Sequence, residues 1–295
     1  MSETSSPKLL VSGANGKLGR LVIERLVATG IPNVVAASRE PDKLPMHKGV
    51  EHRRADFDDS ASLDAAFRGV DRVLMISSDR IDVPGLRIRQ HKAAIDAAKQ
   101  AGVKHLLYTS MLNPSGSLIP FAPDHLETEN AIEASEMSFS ILRVSWYAEN
   151  LLTSLPGTLA SGKWFTSAKD GRINYVPRLD VARAAAGALV SRNGGRERFD
   201  ITGTAPLSIA EIAAIASGIA GKLIEVVHVS DGQLAAGARA AGVPEAFIPL
   251  VVGTDANIRA GKFDVASDAV KRLAGTSAPS LRDFLAANRD VWCKA

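Results

Sequence analysis

No stretch constrains the fold of this chain more than Lys8-Leu-Leu-Val-Ser-Gly-Ala-Asn-Gly-Lys-Leu-Gly19. The apolar run Leu9–Val11 reads as a buried strand, and it breaks into three glycines at three-residue spacing: Gly13, Gly16 and Gly19. Leu18, Val22 and Leu26 then recur at helical spacing, so the turn opens a helix with one apolar face. Strand, glycine turn and helix start together make a site for a pyrophosphate. Glycine lets the backbone approach the anion, and the unpaired N–H groups of the first helical turn point toward it. Asn15, Lys17 and Leu18 complete the turn and fall within the same expected contact. A glycine-rich surface turn without a ligand is the alternative, and the flanking strand and helix argue against it.

Bulk properties narrow the function classes. The 295 residues could form one large domain or two, and their hydrophobic share of 46% suits a globular chain. Thirty-five basic against 32 acidic residues leave a net charge of +3. That excess is spread along the sequence, without the basic cluster or aromatic-interleaved stripe expected for nucleic-acid binding. Cys293 is the only cysteine, so a disulfide within the chain is excluded and a cysteine-based metal site is not expected. No combination of His, Asp and Glu shows a metal-ligand spacing, and no Gly-x-Ser-x-Gly elbow is present. No apolar run reaches the length of a membrane span, and the polar opening Met1–Pro7 reads as a loose tail rather than a signal peptide. The cytoplasm is the expected compartment.

Short apolar runs alternate with helical segments through the first half. Strands are expected at 33–37, 50–55, 71–76, 104–109 and 139–143, and helices at 60–67, 84–101 and 123–135. This alternation predicts an α/β fold, a doubly wound parallel Rossmann sheet with a smaller mixed α+β C-terminal domain. We expect residues 1–150 to form the dinucleotide-binding domain and 151–295 a substrate or lid domain. The chain is expected to return to the first domain near 177–200. Gly157, Gly162 and Gly171 suggest a looser stretch, followed by a helix over 179–190 behind Pro177 and a strand at 198–202. Ser208 with Glu211 reads as a capping box opening a helix to Ala220. A strand at 224–229 and a last helix begun by Ser280 and Asp283 complete the pattern.

The second strand ends Ala36-Ala37-Ser38-Arg39-Glu40. Sites for the unphosphorylated nicotinamide cofactor usually carry a carboxylate there, whose charge repels a 2′-phosphate. Here a hydroxyl, Ser38, and a guanidinium, Arg39, hold those positions, and the planar fork of arginine suits phosphate. The cofactor predicted is therefore NADP(H). Alternatively, Arg39 is solvated or pairs with a nearby acid such as Glu40, which could also weaken the preference. Asp56 and Phe57, after the third strand, stand where adenine contacts are expected, and Ile76, Ser77 and Ser78 where the backbone passes ribose and diphosphate.

A second constraint is an absence. Short-chain dehydrogenases usually place a lysine four residues after a tyrosine, the pair that protonates the alkoxide left by hydride transfer. Tyr108, Tyr147 and Tyr175 are each followed four positions on by leucine. A ketone acceptor needs such a donor; a quinone becomes a ring-stabilised anion, for which a hydrogen bond or water suffices.

These residues resemble the NmrA-like branch of atypical short-chain dehydrogenases, nearest to bacterial NAD(P)H:quinone oxidoreductases of type 2. The likeness rests on Ser12-Gly-Ala-Asn-Gly-Lys-Leu-Gly19, Ser38-Arg-Glu-Pro41, Arg54-Ala-Asp-Phe57 and Leu74-Met-Ile-Ser-Ser78. It continues through Ala101-Gly-Val-Lys104, Tyr108-Thr-Ser110, His125-Leu-Glu-Thr-Glu129 and Arg143-Val-Ser-Trp-Tyr-Ala-Glu-Asn150. Beyond residue 180 it is patchier. The resemblance implies that Val144, Ser145, Trp146, Tyr147 and Asn150 surround the nicotinamide. Trp146 and Tyr147 would wall an aromatic acceptor, and Asn150 would supply a hydrogen bond. Both aromatics could instead be core residues. Where family members often carry lysine after the His-Leu-Glu-Thr-Glu stretch, this chain has Asn130, which leaves a lysine-assisted step there without its residue.

His125 is the candidate polar group beside the acceptor, with a purely structural histidine as the alternative; His91 reads as buried and hydrogen-bonded. His125, Tyr147 and Asn150 are the candidate catalytic residues. The activity implied is NADPH-dependent hydride transfer to a quinone or similar planar electrophile, triarylmethane dyes included. The competing reading is an NADP(H)-binding redox sensor acting through a protein partner. The expected partner is a small aromatic or quinone acceptor, with neither nucleic acid nor membrane, and a homodimer is allowed.

Overall fold

A computed structural model describes residues 6–192 and 194–293. Residues 1–5 of the polar opening stretch lie outside the described residues. The first half runs β1 (Leu9–Val11), α1 (Lys17–Ala28), β2 (Val34–Ser38), β3 (Val50–Arg54), α2 (Ser60–Phe67), β4 (Arg72–Met75) and α3 (Leu86–Gln100). It continues with β5 (His105–Met111), α4 (Ala122–Ala134) and β6 (Ser138–Val144). Then follow α5 (Glu149–Ser161), β7 (Lys163–Thr166), β8 (Arg172–Ile173), α6 (Arg178–Val190), β9 (Arg196–Ile201) and β10 (Leu207–Ser208). The chain ends in α7 (Ile209–Ala220), β11 (Glu225–His228), α8 (Asp231–Ala240), α9 (Ile248–Arg259), α10 (Ala269–Ala274), α11 (Leu281–Ala287) and α12 (Arg289–Trp292).

Seven strands form one parallel sheet in the order β3-β2-β1-β4-β5-β6-β9. From β1 the chain winds outward to β3, then crosses back and winds the other way from β4. This places a switch point between β1 and β4, and a crevice opens there beyond the carboxyl ends of the strands. β1 shows why the sheet needs helices on both faces. Its three residues are all buried, yet Leu9 and Val11 join one apolar cluster and Leu10 the other. The first cluster is closed by Leu18, Val22 and Leu26 of α1 and the alanine-rich α6. The second is closed by Leu63 and Phe67 of α2, Ala94 and Ile95 of α3, and Ile132 of α4. The fold class read from the sequence stands, with the region after α5 largely helical.

Small residues let α6 sit close. A side chain at Gly187 would collide with the Leu273 carbonyl oxygen of α10. Buried Arg72 of β4 reaches across to donate to the carbonyls of Leu189 (2.8 Å) and Ala188 (3.2 Å), ending α6. β9 then pairs with β6 and finishes the sheet.

The looser stretch expected around Gly157 is instead part of α5, which continues through Pro156. Leu151, Leu155 and Leu159 bury an i, i+4 stripe in a third cluster, and that burial outweighs the hydrogen bond lost at the proline. The same cluster takes Met111 from the end of β5, Ile119 from the loop after it, Ile212 and Ala216 from α7, and Leu285 and Trp292 near the C-terminus. The helix begun at Ser280 is followed by the short α12 rather than ending the chain. Among the described residues no helix is long and apolar enough to cross a membrane.

Candidate functional site

The glycine turn is clamped between two strands. Ser12 N–H donates to the Leu74 carbonyl (2.9 Å) and Ala14 N–H to the Ala37 carbonyl (3.0 Å). Gly13 takes a left-handed φ of 61°, which glycine adopts without strain. A Cβ on Gly19 would collide with the Gly13 carbonyl oxygen and lie 2.8 Å from Ala14 Cα, so the helix can start this close to the strand only with glycine there. No side chain caps α1 at Gly16. The first N–H groups of the helix are therefore left for a ligand.

Asn15 ties this turn to the end of β2. Its Nδ2 donates to Ser38 Oγ (3.2 Å) and to the Glu40 carbonyl (3.0 Å), while its buried Oδ1 has no partner among the described residues. Glu40 is engaged by Lys43 at 2.5 Å. Arg39 is exposed, and no hydrogen bond or ion pair among the described residues holds its guanidinium. The expected competition from Glu40 is thus directed elsewhere.

A second clamp fixes the loop after β4. Ile76 N–H donates to Ser12 Oγ (3.0 Å), Ser77 N–H to Thr109 Oγ1 (2.9 Å) and Ser78 N–H to His91 Nε2 (2.9 Å). A backbone N–H can only donate, so the His91 proton sits on Nδ1, 2.8 Å from Thr128 Oγ1. The Thr128 hydroxyl in turn donates to the Asp124 carbonyl (2.6 Å). Burial, with Arg87 nearby, holds the His91 pKa down at about 3, which keeps the ring neutral and the chain of donors aligned.

Two cavities meet along this loop. The first is lined by Gly13, Asn15, Gly16, Ser38, Arg39, Asp56, Phe57 and Gln90. The second is lined by Leu18, Arg87, Thr109, Met111, Phe121, His125, Val144, Ser145, Trp146, Tyr147, Asn150 and Arg178. Ile76, Ser77, Ser78 and Asp79 border both. Of the residues singled out from the sequence, Lys17 and Gly19 border neither cavity: Lys17 is exposed beside the turn and Gly19 is buried beneath it.

Trp146 stacks on Phe121 (centroids 6.5 Å apart, planes at 3°) and meets Phe263 at 5.5 Å. Tyr147 lies under the Arg178 guanidinium (4.5 Å), and burial pushes its phenol up to about 12. His125 has both ring nitrogens engaged. Arg87 Nη2 lies 2.9 Å from Nε2, and arginine only donates, so Nε2 accepts and Nδ1–H donates to Tyr108 Oη at 2.9 Å. Burial, then the charge of Arg87, holds the His125 pKa well below the ordinary imidazole value.

Sequence reasoning missed Arg87, Phe121 and Arg178. They come from the first turn of α3, the residue before α4 and the first turn of α6, far apart in sequence and without a motif. Only the packing of α3 against α4, and of α4 against β5, brings Arg87 over Phe121 and Phe121 onto Trp146.

Residues 13–192 match the model of a family described as NAD(P)H-binding. The chain belongs to this family. Quinone oxidoreductase 2 of Escherichia coli K12 is 32% identical over 279 residues, covering 93% of this chain and 96% of that protein. An NmrA-like family domain-containing oxidoreductase of Aspergillus flavus is 27% identical over 314 residues, 96% of each chain. The crystal structure of an NADPH-dependent quinone oxidoreductase from E. coli, complexed with NADPH, superposes with a TM-score of 0.88. It is 31% identical and covers 95% of this chain and 99% of its own. The resemblance to the NmrA-like branch read from the sequence holds. The residues present fit the family's cofactor: a glycine cradle and an uncapped helix start offer N–H donors to a dinucleotide phosphate, and the orphaned Asn15 Oδ1 can accept from a ribose hydroxyl.

Proposed function

We propose that this chain is an NADPH-dependent oxidoreductase that passes hydride to a quinone or a similar planar electrophile. The observation that carries the reading is the pair of adjoining cavities, one ending at an uncommitted arginine and the other at a flat aromatic wall. In the first, Arg39 grips the 2′-phosphate, Gly13, Gly16 and the start of α1 hold the diphosphate, and Asp56 and Phe57 border the adenine. Ile76, Ser77 and Ser78 follow the ribose, held in place by Ser12, Thr109 and His91. Val144, Ser145 and Tyr147 surround the nicotinamide, where the buried Ser145 Oγ is without a protein partner. When bound, that ring supplies the hydride.

The acceptor lies against Trp146 and Phe121, which exclude water and align it. Asn150, exposed at the cavity rim, hydrogen-bonds its oxygen. We assign His125 a positioning role, because both of its nitrogens are committed and its ring stays neutral. No tyrosine has a lysine four residues on, so the acceptor is one whose reduced anion is stabilised by its own ring. Closure of the cleft falls to the region after residue 150, apart from α6 and β9, while the acceptor cavity itself is lined by residues up to Asn150 and by Arg178 of α6. The strong homology to an E. coli quinone oxidoreductase supports the same class of acceptor.

NADPH consumption with a panel of simple quinones tests this, and turnover dependent on quinone is expected. Tight NADPH binding with no quinone reduced would overturn it and favour a cofactor sensor.

A further inference from the structure

Arg87 is 5% exposed and borders the acceptor cavity, yet no carboxylate among the described residues lies within ion-pair distance of it. Its Nη2 serves His125, its guanidinium lies 5.3 Å over the Phe121 ring, and its buried Nε has no partner. Holding His125 requires only a neutral donor, so the hydrogen bond does not account for the charge. A desolvated cation is costly unless an anion meets it. The second arginine of this cavity, Arg178, is only loosely matched, with Glu149 at 3.9 Å. Asp79 is the only acidic side chain bordering the same cavity among the described residues. Asp124 acts on the Arg87 charge from outside the cavity and beyond ion-pair distance, so among the described side chains that border the cavity two arginines face one carboxylate beside a flat aromatic wall.

We propose that the preferred acceptor is a planar aromatic molecule bearing an acidic group, a sulfonate or carboxylate, which lies against Arg87. The inference rests on the reading of this cavity as the acceptor site. It adds that Arg87 determines which acceptors are preferred.

Binding to the NADP-loaded protein tests it without turnover. Naphthalene sulfonate and its neutral isostere, naphthalene sulfonamide, are compared by calorimetry. The sulfonate is expected to bind about tenfold tighter or more, as for a hydrogen bond to a charged group. Arg87→Gln, which keeps a donor for His125 Nε2, removes that difference while NADPH binding persists; Arg87→Lys keeps part of it. In turnover, the variant raises KM for a naphthoquinone sulfonate about tenfold more than it raises KM for naphthoquinone itself.

Equal binding of the two naphthalenes by the wild type overturns the proposal, as does a preference that survives Arg87→Gln. If the variant does not fold, the wild-type ratio alone decides. A sulfonate preference without reduction of either quinone refutes the quinone reductase reading and leaves the cationic subsite standing. Reduction of both quinones without a binding preference does the reverse.

Discussion

Arg39 and Arg87 differ in what surrounds their charge. Arg39 is solvated, so its guanidinium costs nothing to keep and gains only when a phosphate arrives. Arg87 is desolvated before any ligand binds. The phosphate role of Arg39 makes a directional prediction. Arg39→Asp replaces a two-pronged donor with a like charge for the 2′-phosphate, while the cofactor lacking that phosphate loses little. KM for NADPH is expected to rise on the order of ten- to a hundredfold more than KM for NADH in steady-state assays. Equal rises would remove the phosphate assignment. Arg39 was legible because it directly follows a recognisable strand end. Arg87 was not, because nothing in Gly85-Leu-Arg87 shows that α3 will aim it at α4.

At the scale of elements, local signals were readable wherever they were self-contained. Ser208 accepts from Glu211 N–H, and the Glu211 carboxylate returns to Ser208 N–H at 2.7 Å, the reciprocal cap expected from the spacing alone. Ser208→Ala is expected to lower unfolding free energy by about 1 kcal/mol, measured by urea denaturation, with NADPH affinity unchanged. The helix α5 was hidden by Pro156 and Gly157. Its leucines at 151, 155 and 159 carry a helical period, but whether that stripe outweighs a proline depends on what buries it. Much of the burying surface comes from residues more than fifty positions away, in α7 and near the C-terminus.

For the whole molecule, the fold buries three histidines where burial and neighbouring arginines disfavour the protonated ring. Burial holds the His91 pKa down at about 3 and that of His105 at about 4, and lowers His125 as well. The unfolded chain protonates its histidines near pH 6.5. Below that, the unfolded state binds more protons than the native state, so stability is full above pH 6.5 and falls as pH drops. The loss runs down to about 4 for His105 and about 3 for His91. Each neutral histidine adds a slope of about 1.4 kcal/mol per pH unit. Unfolding free energies measured between pH 7.5 and 5 should decline accordingly, and His105→Asn should make the decline shallower by one proton. A flat profile would contradict buried neutral histidines.

The glycine turn, the alternation of strands and helices and the exposed arginine directly after β2 were determined by sequence alone, because each depends on neighbours within a few residues. The acceptor cavity was decided by tertiary structure. Its wall and its charge come from four separate segments, Arg87, Phe121 with His125, Trp146, and Arg178, and their meeting depends on how α3, α4 and α6 pack around the sheet.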